Sequence, residues 1–289
     1  MAGPSTRTVA LGPLSKRIRF GWILEILGVG VWYELYDRAR DWVMGTRIDA
    51  FRNARAVTRI EVWLGIYHER SIQQFFLDYP AVVSFFNIYY GTVHFALPLF
   101  AGIYLYVKFP RRYVRWRNTF LFILVFGPVG WLFFPLAPPK YLPERYGFVD
   151  TPAEYYNFGP QRPIFYGPDG EPNAATIAEF GNLYSGMPSH HISWALWAVL
   201  ALWPVIRRRW IKALLVVDMF LTVLSIAVTG NHHLIDVFGS IGEVALAYVC
   251  AVGVDRVFDW RRARRARDAP EPDVVVPETV PSMQGSAGA

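Results

Sequence analysis

TGNHHLIDVFGSIGEVALAYVCAVGV, residues 229–254, places two adjacent histidines and an aspartate at the head of a long apolar run. A stretch of this kind predicts a membrane-crossing helix from about His233 to Val254, with its polar chemistry at one end, since roughly 20 apolar residues span a bilayer. Five further candidate spans lie upstream: about Phe20–Leu35 (with Glu25 inside it), Val82–Val107, Phe120–Pro135, Ser189 to near Ile206, and Ile211–Val228. The predicted fold is all-α, a polytopic membrane helical bundle with about six transmembrane helices. Composition agrees. Hydrophobic residues are 53% of the 289 and charged residues 18%, against about a quarter charged in a soluble domain. Many of the 11 Trp, 16 Tyr and 21 Phe sit at the ends of apolar runs, as suits the headgroup level.

The net charge of +6 comes from short basic clusters: Lys16, Arg17 and Arg19; Lys108–Arg117; Arg207–Lys212; and Arg256–Arg267. With six spans all four fall on one side, which positive charge marks as cytoplasmic. Both termini are then expected in the cytoplasm. The loop Leu136–Pro188 and the starts of the fourth and sixth spans are expected at the extracytoplasmic face of a multi-pass cell-membrane protein. Nucleic-acid binding, which also uses basic clusters, does not need the long uncharged runs beside them. The single cysteine, Cys250, excludes an internal disulfide and a multi-cysteine metal site. The first fifteen residues lack an apolar core, so the first apolar segment is expected to remain as an anchor.

The expected organisation is an N-terminal cytoplasmic segment (1–19), a transmembrane catalytic domain (20–257), and a basic stretch with a disordered tail (258–289). Within the domain, 37–81 carries apolar residues at helical spacing (Ile60, Trp63, Leu64, Tyr67, Ile72, Phe75, Phe76). It is expected to form one or two amphipathic helices on the outer interface or packed on the bundle. The arginines there are partly balanced by Asp37, Asp41, Asp49, Glu61, Glu69 and Asp78. Residues 137–188, rich in Pro, Gly, Tyr and Asn, read as a long structured outer loop.

Four of the six histidines form two pairs, His190–His191 in GMPSHH and His232–His233 in TGNHHLID. The topology brings both pairs to one depth. His232 and Asp236 are four apart and share a helix face. The carboxylate can take one ring N–H, fixing the tautomer and leaving the other nitrogen bare for attack. Ser189 stands where a helix N-cap would. Both pairs are thus expected at helix N-termini, where free N–H groups attract anions. One histidine would attack phosphorus and another would protonate the departing oxygen. Polar anchoring at the interface and a zinc site built from histidines and an aspartate are the rival readings. Neighbouring rings on a helix point about 100 degrees apart, so one member of each pair should face elsewhere.

The segments RIEVWLGIYHE, YYGTVHF, FPLAPPK with GFVDT, GMPSHHISWALW and TGNHHLIDVFG resemble those of the type 2 phosphatidic acid phosphatase superfamily, from about Asn53 to Gly242. Within it they are most similar to a bacterial branch related to inositol phosphorylceramide synthases, with inositolphosphotransferase-like members. The resemblance implies a helical bundle with a haloperoxidase-like core, no metal and no cofactor. It assigns His191 as the acid, His232 as the nucleophile, Asp236 as the orienting carboxylate and Ser189 as a donor to phosphate. The arginine of the broad family's Ser-Arg pair is missing, since Ser225 is followed by Ile226, and so is its Lys-x6-Arg-Pro motif. Lys140 or Arg145, with Arg162 behind them, must then neutralise phosphate. His190 and His233 stand where leucine and tyrosine are usual, either as interface residues or as head-group contacts.

His94 in the second span matches a histidine of the branch, and is expected to face the bundle. Glu61 and Asn87 are polar groups that could pair near it, and Tyr89 and Tyr90 either line the lipid's approach or belong to the aromatic belt. The implied activity is metal-independent transfer from a lipid phosphate through a phosphohistidine, with lipid phosphatase as the alternative. The implied donor is a phospholipid or polyprenyl phosphate. The acceptor is water or a polyol, sugar or lipid hydroxyl. A transporter would place polar groups deep within several spans, and a structural subunit would not need two histidine pairs at one depth.

Overall fold

A computed structural model describes residues 14–151 and 182–267. The described chain is mostly helical, and its only strand-like pairing is an isolated bridge between Leu136 and Ser185. The helices are α1 (Leu14–Trp42), α2 (Arg47–Leu64), α3 (Glu69–Leu77), α4 (Pro80–Lys108), α5 (Pro110–Phe133), α6 (His190–Leu202), α7 (Arg209–Val228) and α8 (Asp236–Arg267). Proline opens α4 and α5, where its missing N–H is not needed and its fixed φ suits the first turn.

Among the described residues four helices, α4, α5, α7 and α8, are long and apolar enough to cross a membrane. α1 and α6 fall at the other two predicted places. α1 carries Glu25 and Glu34 in its middle. α6 has 13 residues, a rise of about 20 Å against a hydrocarbon core of about 30 Å. α1 begins at Leu14, ahead of the expected Phe20. α8 begins at Asp236, three residues after the expected start. Large apolar side chains such as Leu24, Phe100, Phe133, Phe220 and Val249 are exposed, as a lipid-facing surface requires.

The principal core draws on α1, α4, α5, α6, α7 and α8, and is strongly aromatic, with Trp116, Trp131, Trp194 and Trp197 buried. Two of these indoles also find acceptors: Trp197 Nε1 donates to Trp116 O at 2.7 Å and Trp131 Nε1 to Pro188 O at 3.1 Å. The second bond ties the end of α5 to the segment that enters α6.

The 37–81 segment forms two helices; of the expected apolar residues, Tyr67, Ile72 and Phe76 pack against core clusters, while those of α2 face outward. α2 starts at Thr46, whose Oγ1 accepts the Asp49 N–H, and ends at Gly65 in the left-handed region. It buries Ala50, Ala54, Val57, Thr58 and Glu61, an i, i+4, i+7, i+8, i+11 stripe. Ile60, Trp63, Leu64 and Phe75 are exposed. α3 buries only Glu69 and Gln73, one turn apart. The inward face of the hairpin is therefore mixed: Phe51 of α2 and Ile72 and Phe76 of α3 pack on core clusters beside these small and polar residues, while Ile60, Trp63, Leu64 and Phe75 face outward. A hairpin that packs on the polar end of a bundle beside lipid has that demand on both faces.

Candidate active site

Pro188 and Ser189 lead into α6, so that His190 and His191 are its first two residues. Ser189 holds the N-cap place, yet its hydroxyl makes no capping bond, and its buried Oγ has no hydrogen-bond partner among the described residues. Its backbone is fixed instead. The Ser189 N–H donates to Ser240 Oγ at 3.1 Å, and Ser240 Oγ donates back to Ser189 O at 2.9 Å and to Asp236 O at 2.9 Å. Ser240 thus couples the start of α6 to the start of α8.

His232 is not on a helix. It lies in a turn between α7 and α8, four residues ahead of the Asp236 that opens α8, so the pairing predicted along one helix face forms across the turn. His232 Nδ1 is 3.2 Å from Asp236 Oδ2 and 3.0 Å from Gly186 O. Both neighbours are acceptors, which places the proton on Nδ1 and leaves the Nε2 lone pair outward. Asp236 Oδ2 also accepts the His233 N–H at 3.2 Å. Upstream, Gly230 adopts φ +65°, and a Cβ there would meet Gln73 Nε2 at 2.9 Å and Lys140 Cβ at 3.2 Å. Only glycine meets both demands without strain.

The rings of His191 and His232 face each other with centroids 5.6 Å apart. Tyr90, from α4, connects them. Its ring stacks on His191 at 3.8 Å, and its hydroxyl lies 3.4 Å from His232 Nε2. Of the Tyr89–Tyr90 pair, Tyr90 is therefore at the site, while Tyr89 donates to Asp218 Oδ1 at 2.6 Å on α7. The dipeptide itself holds no sign of this division.

The other members of the histidine pairs turn away, His190 along α6 as helical spacing suggested and His233 within the turn, but both are buried. His190 is buried between Tyr36 Oη (2.9 Å from Nδ1) and Glu243 Oε1 (3.2 Å from Nε2). Ser193 Oγ donates to the second oxygen of Glu243. A Cβ on Gly127 would overlap the His190 ring, so glycine is what admits the imidazole to the core. His233 is 1% exposed and meets two carboxylates, Glu61 Oε2 at 3.4 Å and Glu69 Oε1 at 3.5 Å. Glu61, expected to pair near His94, points here instead and also accepts the Ile235 N–H at 2.8 Å. Asn87 accepts a bond from Thr151 Oγ1 at 3.1 Å. Burial alone would lower the His233 pKa, but the two carboxylates outweigh it and push it up to about 10. Burial raises Glu69 to about 7, while His233 and the Ile235 N–H outweigh burial at Glu61 and hold it below its usual range. Glu61, Glu69 and His233 are also the one set among the described residues whose donor atoms lie close enough, within 4.8 Å of one another, to share a metal ion. It is not the histidine–aspartate set that the zinc rival required.

Lys140 reaches the His232 turn through its backbone, donating its N–H to Gly230 O at 2.9 Å. Its side chain is buried and paired with Asp150 at 3.2 Å. Burial lowers its pKa, and Asp150 opposes that shift. Arg145 is on an exposed one-turn 3-10 helix, its guanidinium over the Tyr146 ring. The His94 side chain and Arg162 lie outside the described residues, as do 152–181 of the outer loop and the tail beyond 267.

A family model for the PAP2 superfamily matches residues 55–253. The chain belongs to the PAP2 superfamily. Superfamily members are phosphatases or phosphotransferases, and the matched range includes both histidine pairs, Asp236, Tyr90 and the two carboxylates of the α2–α3 hairpin. No curated protein and no solved structure gave a match. A PAP2 chain with four membrane-length helices is compatible with a multi-pass membrane protein that handles lipid phosphates.

Proposed function

We propose that this PAP2 protein transfers phosphate from a lipid donor to a hydroxyl acceptor through a phosphohistidine on His232, in the manner of an inositolphosphotransferase. The meeting of His191, at the start of α6, with His232, in the turn before α8, at 5.6 Å carries the reading. His232 Nε2 attacks phosphorus, forming an N–P bond as the bond to the leaving oxygen breaks, and His191 gives that oxygen its proton. In the second step His191 takes the proton of an incoming hydroxyl, whose oxygen attacks phosphorus. The N–P pair returns to Nε2. Asp236 and Gly186 O hold the Nδ1 proton throughout, stabilising the imidazolium character that develops as Nε2 bonds to phosphorus. No step requires a metal at phosphorus.

The phosphate charge is met by the N-terminal N–H groups of α6, the buried Ser189 hydroxyl and the Lys140 ammonium, released from Asp150 as the anion arrives. His94, on α4 four residues beyond Tyr90, is a further candidate for binding the donor on the family resemblance. The site faces the extracytoplasmic side, with both termini in the cytoplasm, because the four basic clusters fall at the other ends of the helices. A phospholipid or polyprenyl phosphate reaches it laterally from the bilayer.

Water in place of the hydroxyl acceptor makes the same residues a lipid phosphatase. The family match favours the two activities equally, and the acceptor pocket decides between them. The purified full-length protein, incubated with phosphorus-labelled lipids with and without inositol or other hydroxyl acceptors, separates them. A labelled product formed only with acceptor supports transfer, and free phosphate supports hydrolysis. Turnover undiminished in His232→Ala overturns the mechanism.

A further inference from the structure

The α2–α3 hairpin brings two carboxylates, both 0% exposed, to the far side of the turn that holds His232. Nothing in the two-step cycle uses them. Buried carboxylates are expensive unless paired, and these two converge on one short stretch, residues 233–235. Glu61 Oε1 takes the Ile235 N–H at 2.8 Å, and its other oxygen faces His233 Nδ1 at 3.4 Å. Glu69 Oε1 faces the same nitrogen at 3.5 Å. On the near side, Asp236 Oδ2 holds both the His232 ring and the His233 N–H. The backbone of residues 232–235 is therefore gripped from two directions. Asp236 aims the nucleophile, and Glu61 with Glu69 fixes the residue beside it.

From this geometry we infer that Glu61 and Glu69 are positioning residues for His232, acting through the His233 imidazole and the Ile235 N–H. Their effect is on the direction of a ring they do not touch. If His233 swings out of the Glu61–Glu69 cleft, its N–H moves off Asp236 Oδ2, and the His232 Nδ1 bond to that same oxygen loses its alignment. A 1 Å displacement at a reacting atom costs about a hundredfold in rate. The consequence for turnover rests on the phosphotransfer reading, whereas the consequence for the His232 ring does not.

Nitrogen-15 NMR of histidine-labelled full-length protein in micelles, with His232 assigned by its loss in His232→Ala, tests the ring directly. The wild type should show His232 as one tautomer, protonated at Nδ1. Glu61→Gln, Glu69→Gln and His233→Leu should each give a mixture of tautomers. A His232 signal unchanged in all three overturns the inference. Kinetics on whichever labelled lipid turns over form the second arm. In Glu69→Gln, kcat should fall at least tenfold with KM within twofold, while the melting temperature holds or rises because a buried charge is gone. The Glu69→Gln, His233→Leu double variant should lose no more than the worse single, since both act along one path. Loss of stability with kcat intact, or additive losses, would leave these residues merely structural. One equivalent of divalent metal in the purified wild type would also overturn the inference, by making the three side chains a ligand set. Altered His232 tautomers in a protein that turns over no lipid would refute the phosphotransfer reading and leave the positioning role standing.

Discussion

His191 and His232 owe their meeting to what surrounds each ring. His232 has its Nδ1 between two acceptors, and His191 is stacked on Tyr90. Asp236→Asn should lower turnover by about 10²–10⁴, because an amide can present its N–H to Nδ1 and favour the wrong tautomer. His191→Ala should lose a similar amount, and less with a donor whose leaving group is already a good one; rates on a phenolic and an alkyl phosphate ester measure the difference. Gly127→Ala should destabilise by about 1–3 kcal/mol, since the methyl overlaps His190 and neither can retreat in a packed core. A thermal melt in detergent reads it. The pairing of His232 with Asp236 was legible from their spacing, and the resemblance singled out His191, whose ring lies beside that of His232. The partners of His190 and His233 were not legible. A position beside another histidine tells which way a ring turns, not that Glu243 or Glu69, on distant segments, waits there.

The helices were legible and their faces less so. A helix lies at each of the six predicted places, but among the described residues only four, α4, α5, α7 and α8, are long and apolar enough to cross a membrane. α2 and α3 divide their apolar residues, Ile72 and Phe76 packing on a core cluster while Ile60, Trp63, Leu64 and Phe75 stay exposed, because apolar side chains beside a bilayer need not point into the protein. The inward side of α3 depends on Gln73, whose amide donates to Val149 O and Val228 O and accepts the Val149 N–H. Gln73→Leu should therefore destabilise by about 3 kcal/mol, leaving those groups buried and unpaired. Glu69 gives the same helix a pH signature. Its folded pKa lies near 7, above about 4.3 for an unfolded glutamate. The folded state holds the proton more tightly, so stability gained from this group is full below about 4.3 and fades as pH rises through 7. Wild-type protein should gain on the order of 2 kcal/mol over Glu69→Gln on going from pH 8 to pH 4.5, followed by melts of both proteins across that range.

Over the whole molecule, α4, α6 and α7 run from the histidine end to an end crowned by Lys108 and by Arg207, Arg208 and Arg209. The proposed orientation puts the second end in the cytoplasm. In a Cys250→Ser background, a cysteine at exposed Trp63 should react with an impermeant maleimide added outside intact cells. One at exposed Arg208 should react only after lysis. The reverse pattern would turn the protein over. The proposed role of His232 has a further consequence for how such a molecule comes to life. The walls of its turn include Gln73, Lys140 and Gly186, all translated before the turn itself. A nascent chain halted at residue 228 would hold the stacking tyrosine and the socket but no His232, so His232-dependent turnover is expected to begin only once the turn has been made and seated among those walls.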